Sequence, residues 1–199
     1  YNINTLQKFD SIYRHSKLTG IIDDVDTSIL SNITTVKIRK NFTPLIGSSA
    51  KYNIYFRNAL FNPHAGHNMA AGGILSSTGF KVEGNDNEMF LDDDGSGNVR
   101  RYFLQSGIRT YIDSTQGTID YTSGAITLNS LNIASISNIR GVTSTLIEIT
   151  VTPLSNDVVP VRDQIVEIDI SNSNITVTAD TFVGGSADAG VGYTTTSSY

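Results

Sequence analysis

The sequence predicts a β-rich α+β domain, built mostly of antiparallel hairpins and a meander, with one N-terminal helix packed on the sheet. Three observations carry that expectation. Residues 108–131 alternate with period two: Ile108, Thr110 and Ile112 share one face, as do Ile119 with Tyr121 and Ile126 with Leu128. Such alternation marks half-buried strands. Two breaks interrupt it, Ser114 to Gly117 and Thr122 to Gly124, and each ends in a glycine, the residue that takes positive φ without steric cost. Together they predict a three-stranded antiparallel meander. The second observation is compositional: only 39% of residues are hydrophobic and 17% charged, and the balance is largely Ser, Thr, Asn and Gly, as in β proteins with many turns. The third is a single helical period near the start. Leu6, Phe9 and Tyr13 fall at i, i+3 and i+7, Asn4 or Thr5 can cap, Lys17 suits the C-terminal dipole and Gly20 can stop the helix.

The helix is therefore expected over about residues 5–18. The cluster Asp23, Asp24 and Asp26 follows, and because Asp26 precedes Thr27 and Ser28 it reads as a capping or solvated turn, ahead of a cation site. Residues 35–42 form the next strand, with Val36 and Ile38 on one side and Lys37 and Arg39 on the other, until Lys40 breaks the phase. A basic face without interleaved aromatics reads as solvated or as a protein interface rather than a phosphate reader. Tyr52, Ile54 and Phe56 define another strand, with Tyr55 and Arg57 turned outward. His64 and His67 have a spacing that can share a metal on a helix, but Pro63, Gly66, Gly72 and Gly73 make the segment a loop without a third ligand.

Asp92, Asp94 and Ser96 occupy the first, third and fifth places of a calcium loop, with Gly97 sixth and Val99 eighth. The twelfth place is Phe103, where a bidentate Glu is needed, and the flanks alternate as strands. A hairpin with an acidic, glycine-rich tip is the preferred reading. Residues 133–140 read as an irregular link ending at Gly141. Ile147, Ile149 and Val151 point inward from a strand that Pro153 ends; Val166, Ile168 and Ile170 form another inward set, and Ile175 with Val177 a last short strand.

The expected organisation is one β-rich domain over residues 1–183, with strands and hairpins over about 33–178, followed by a Gly/Ser/Thr-rich tail or docking arm over 184–199. The tail's sizeable anchors are Phe182, Val183, Val191, Tyr193 and Tyr199. A net charge of −5 favours neither nucleic acid nor an anionic membrane, and no apolar run is long enough to span one. The absence of cysteine excludes a disulfide framework and thiolate metal sites. The first residue is Tyr1, which points to a fragment or a processed chain. No catalytic, cofactor or metal site is expected, since neither a GxSxG nor a phosphate-binding glycine loop is present.

The run LDDDGSGNVRRYFL, followed by TQGTIDYTSGAITL and VPVRDQIVEI, resembles the C-terminal part of the baseplate wedge protein of T-even-type contractile-tailed bacteriophages. The segments IIDDVDTSILSNITTVKIRKNFTP and ILSSTGF and the tail TADTFVGGSADAGVGYTTTSSY fit the same pattern, whereas HAGHNMAAGG does not. The resemblance implies a structural virion protein of the tail baseplate, made in the host cytoplasm, without enzymatic activity or cofactor. It further implies that copies self-associate, as a homodimer or ring, and join other wedge proteins in linking wedges around the tail hub. It transfers no functional residue. The alternative from the residues alone is a secreted adhesion or binding module with a weak calcium loop at Asp92 and Asp94.

Overall fold

The computed structural model describes residues 1–67, 73–161 and 164–178, and the tail expectation over 184–199 lies outside them. The chain divides into two units, Tyr1–Glu167 and Ile168–Tyr199.

The first unit holds two antiparallel sheets. The larger has seven strands in the order β2-β8-β7-β6-β5-β4-β9: β2 Ala50–Tyr55, β4 Phe80–Val82, β5 Asn85–Asp93, β6 Asn98–Gln105, β7 Ile108–Asp120, β8 Ala125–Leu131 and β9 Ile133–Ile136. The smaller runs β1-β10-β3, from Ile38–Phe42, Ile147–Val151 and Ser76–Ser77. One apolar core serves both. Phe80, Met89, Leu91, Val99, Ile119, Ile126 and Leu128 reach it from the large sheet, and Ile147, Ile149 and Val151 from the small one. The alternation in β10 thus translates directly into burial, with Glu148 and Thr150 facing the other way.

The meander differs from its expectation at one of its two breaks. Thr122 to Gly124 is a turn, with Gly124 at φ 68° and the Asp120 carboxylate accepting the Thr122 amide. Ser114 to Gly117 is not. β7 runs straight through it, and pairing with β6 jumps from Tyr102↔Tyr111 to Arg101↔Asp113 to Val99↔Gly117, so the extra residues of β7 are absorbed as bulges. Gly117 is required for a different reason: a Cβ there would lie 2.0 Å from the Thr127 carbonyl of β8. The hairpin turn is instead Ser106-Gly107, both at positive φ (53° and 81°), the geometry a two-residue connection needs. The three-stranded meander is therefore β6-β7-β8. Residues 133–136, expected as irregular, form β9 against β4.

The N-terminal helix, α1, spans His15–Asp23 rather than 5–18. Asp10 adopts φ 61°, and Tyr13 exchanges two 3.0 Å backbone hydrogen bonds with Val158, so an α-helix cannot run through residues 10–13. Residues Asn2–Leu6 form a π-helical turn that buries Leu6. Gly20 sits inside α1 and does not end it. No α1 side chain is fully buried; the helix is fixed at its N-terminus, where Asp157 accepts the His15 amide (2.9 Å) and pairs with Arg14 (2.8 Å). This carboxylate satisfies an amide at the helix start and complements the dipole, from a loop far along the chain.

The strands expected around Val166 to Ile170, across the boundary of the two units, and at Ile175 and Val177 do not form. A 3-10 turn, Ile170–Asn172, stands there, closed by Ser173 Oγ donating to the Asp169 carbonyl (2.8 Å). Among the described residues neither segment is part of a sheet, and alternation outside a sheet does not hold a strand.

Candidate functional site: a buried aspartate pair and an exposed N-terminal segment

Residues 92–98 are the hairpin between β5 and β6, with Asp94 at its tip. Consecutive strand residues face opposite ways, so Asp92 and Asp93 cannot share a ligand. Asp92 lies on the outer face, yet is only 1% exposed, because Arg100, Arg109 and Tyr111 close over it. Arg100 Nε donates to Oδ1 at 2.9 Å, Arg109 Nη1 to Oδ2 at 2.9 Å and the Tyr111 hydroxyl to Oδ2 at 2.8 Å. The same arginines stack on aromatic faces, Arg100 over Tyr111 (4.3 Å) and Arg109 over Tyr102 (4.9 Å). Phe90, Tyr102 and Tyr111 form a row across the three strands. Burial pushes the Asp92 carboxyl above the ordinary carboxylate value, against the pull of the Tyr111 hydroxyl and the two guanidiniums.

Asp93 points the other way and is fully buried. It accepts the amides of Ile74 (2.6 Å) and Leu75 (2.8 Å) on Oδ1 and the Tyr121 hydroxyl (2.7 Å) on Oδ2. It thus ties the segment entering β3 and the β7–β8 turn to the end of β5. Burial first, then Asp93, pushes the Tyr121 phenol far above its ordinary value. A raised phenol contributes stability that is complete below the unfolded value, near 10, and is lost as pH rises through the folded one. Tyr121→Phe is expected to cost about 1–2 kcal/mol at neutral pH and to flatten the decline in melting temperature above pH 10. An unchanged alkaline decline in the variant would show that Tyr121 does not cause it.

Asp94 is committed locally: it accepts the Ser96 and Asn98 amides (2.8 and 2.9 Å) and the Asn98 side-chain amide (2.7 Å). The calcium-loop places are therefore spent on the sheet and the turn. Melting temperature is expected to be the same in millimolar calcium and in chelator, and a rise of several degrees with calcium would contradict this assignment.

His64 and His67 sit in an exposed loop, Nδ1 of one 3.0 Å from Nε2 of the other, with Phe61 edge-on to His67 at 5.6 Å. Among the described residues no third ligand joins them. Of the basic face, Lys37 is exposed, while Arg39 pairs with Glu148 at 2.7 Å. Tyr55 and Arg57 face outward together, the guanidinium 5.9 Å from the ring centroid.

The feature that strand and helix patterns missed is the exposure of the N-terminal segment. Ile3, Phe9, Ile21, Val25, Leu30 and Ile33 all lie open there, Phe9 at 68% and Ile33 at 98% exposure. Apart from Phe9, which fitted the helical stripe, their signal in the sequence was apolar residues with neither period.

A β-rich scaffold whose buried aspartates are spent on holding strands, and whose surface leaves many apolar side chains open, six of them in residues 1–41, has the make-up of a structural, assembly-type protein. Comparison with known families points the same way: residues 1–41 match the family described as "Baseplate structural protein gp6, C-terminal domain III". The matched stretch includes six of the exposed hydrophobics, and over residues 1–41 it bears out the resemblance to the baseplate wedge protein of T-even-type phages. The protein is thus a structural component of a contractile phage tail, located in the virion's tail baseplate. No curated protein matches the chain. Among the described residues no helix is long and apolar enough to cross a membrane.

Proposed function

We propose that the protein is a non-enzymatic wedge component whose copies associate in pairs and, with other wedge proteins, link neighbouring wedges into a ring around the tail hub. The observation that carries this reading is the coincidence of the family match with the exposed apolar segment: residues 1–41 include Ile3, Phe9, Ile21, Val25, Leu30 and Ile33. Burial of such side chains is worth about 1.5–3 kcal/mol each when complete, enough for a handful to decide association. A two-fold, self-complementary contact closes on itself and limits growth to pairs, which other wedge proteins can then join. Light scattering on the full chain is expected to show a dimer at micromolar concentration. A strictly monomeric particle at several hundred micromolar would remove the pairing from this reading.

A further inference from the structure

A cleft of about 280 Å³ opens between β1 and β2, lined by Lys40, Asn41, Asn53, Tyr55, Arg57 and Gln164. By alternation Lys40 lies on the same side of β1 as Ile38 and Phe42, which pack on the core, so its ammonium is held partly out of water. Burial lowers its pKa, and the nearby Arg57 lowers it further. Two cations therefore share one recess, and among the described residues no carboxylate forms an ion pair with either. Thr127 Oγ1 donates to Asn53 Oδ1 at 3.0 Å, which leaves the Asn53 amide hydrogens as donors beside them. Like charges facing each other across a half-dry cleft are unfavourable until an anion joins them.

The opposite imbalance stands elsewhere on the same chain. Asp23 ends α1, Asp24 is its C-cap residue and Asp26 follows in the next turn, so carboxylates crowd the negative end of a helix. All three are exposed, as are Ile21 and Val25 beside them, and among the described residues no cation pairs with them.

We propose that the Lys40–Arg57 cleft receives the Asp23, Asp24 and Asp26 turn of a second copy of this chain. The inference rests on the pairing reading above and names its contact. Each copy carries both halves, so a two-fold axis makes the contact twice and relieves four like-charge clusters at once. Val25 is carried into the same contact, which joins the acidic turn to the exposed apolar segment. Asp26 already holds its turn by accepting the Ser28 amide at 2.8 Å, so the carboxylates arrive on an ordered loop.

The test is complementation by charge reversal, on full chains, followed by sedimentation velocity at low and high salt. One variant carries Lys40→Glu with Arg57→Glu, the other Asp23→Lys with Asp24→Lys. Each alone opposes like charges at both contacts and is expected to weaken association at least tenfold. An equimolar mixture matches both contacts again and is expected to return to within about threefold of wild type. Raising salt is expected to weaken the wild-type pair. Because Lys40 is partly buried, Arg57→Glu with Asp24→Lys as partner is the parallel set, and melting curves verify folding in all chains. Variants that pair as well as wild type would overturn the cleft contact while leaving pairing intact. Loss in each variant without recovery in the mixture would show that the cleft and the acidic turn do not meet each other, overturning the second-copy assignment. A monomeric wild type would defeat the pairing reading itself, and this inference with it.

Discussion

Asp93→Ala is expected to destabilise the domain by about 4 kcal/mol, the largest effect of any single substitution considered. The alanine would strand three donors at once, the Ile74 and Leu75 amides and the Tyr121 hydroxyl, two of them backbone groups with no other acceptor described. Each buried, unsatisfied donor costs about 1–3 kcal/mol, and the three together set the size of the loss. Asp93→Asn keeps one oxygen acceptor on the two amides but turns an NH2 toward the tyrosine, so a loss of about 2 kcal/mol is expected. Urea unfolding measures both, with the midpoint shifting at constant slope. Equal losses for alanine and asparagine would mean that the charge matters rather than the count of acceptors. Losses under 1 kcal/mol for both would show that the tie to β3 contributes little.

Gly124→Ala should cost about 3 kcal/mol, where the same substitution at Gly84 should cost only about 1. Both glycines hold positive φ, 68° and 77°, so both alanines meet the same backbone strain. They differ in surroundings. A Cβ at Gly124 would lie 2.3 Å from the Asn58 carbonyl oxygen, whereas at Gly84 nothing lies within 4 Å. The clash cannot be relieved by rotating a side chain, because the neighbour is backbone, and the Gly124 carbonyl also accepts the Phe56 amide at 2.8 Å. The difference between the two variants in thermal or urea unfolding reads the close approach separately from the conformational strain. Equal effects would place Asn58 farther from the turn than the structure has it.

That Gly124 would sit at positive φ was legible from the hairpin pattern around it, as were the strands with unbroken alternation, β2 and β10. In each, apolar and polar residues alternate because one face meets a single core. The pattern failed where a residue's role is set by something not adjacent in sequence. Gly117 looks like a turn glycine but is needed for the approach of Thr127. Tyr13 fits a helical stripe but is drawn into an extended bridge by Val158. β9 is too short for alternation to announce it and exists because β4 has a free edge beside it. The segment from Val166 to Ile170 shows the converse: its apolar residues alternate well, yet among the described residues it is part of neither sheet. Of the candidate site, the position of the acidic hairpin tip was readable, and so in principle was the split between Asp92 and Asp93, since neighbours on a strand must face apart. What occupies them was not. Arg109 and Tyr111 belong to the next hairpin, and Ile74 and Leu75 precede the one before.

The fastening of α1 by Asp157 has a bearing on the order in which the molecule is made. The helix start and its carboxylate are separated by 142 residues, and Tyr13 meets Val158 across a similar span. Closing so long a loop is entropically unfavourable until the core between its ends has already brought them together. Residues 1–14 leave the ribosome well before Asp157 and Val158, and yet are fixed in place only after them. Its open hydrophobic side chains therefore acquire a defined arrangement only on a chain synthesised past residue 158. A polypeptide that stops short of Asp157 and Val158 has these residues without their geometry.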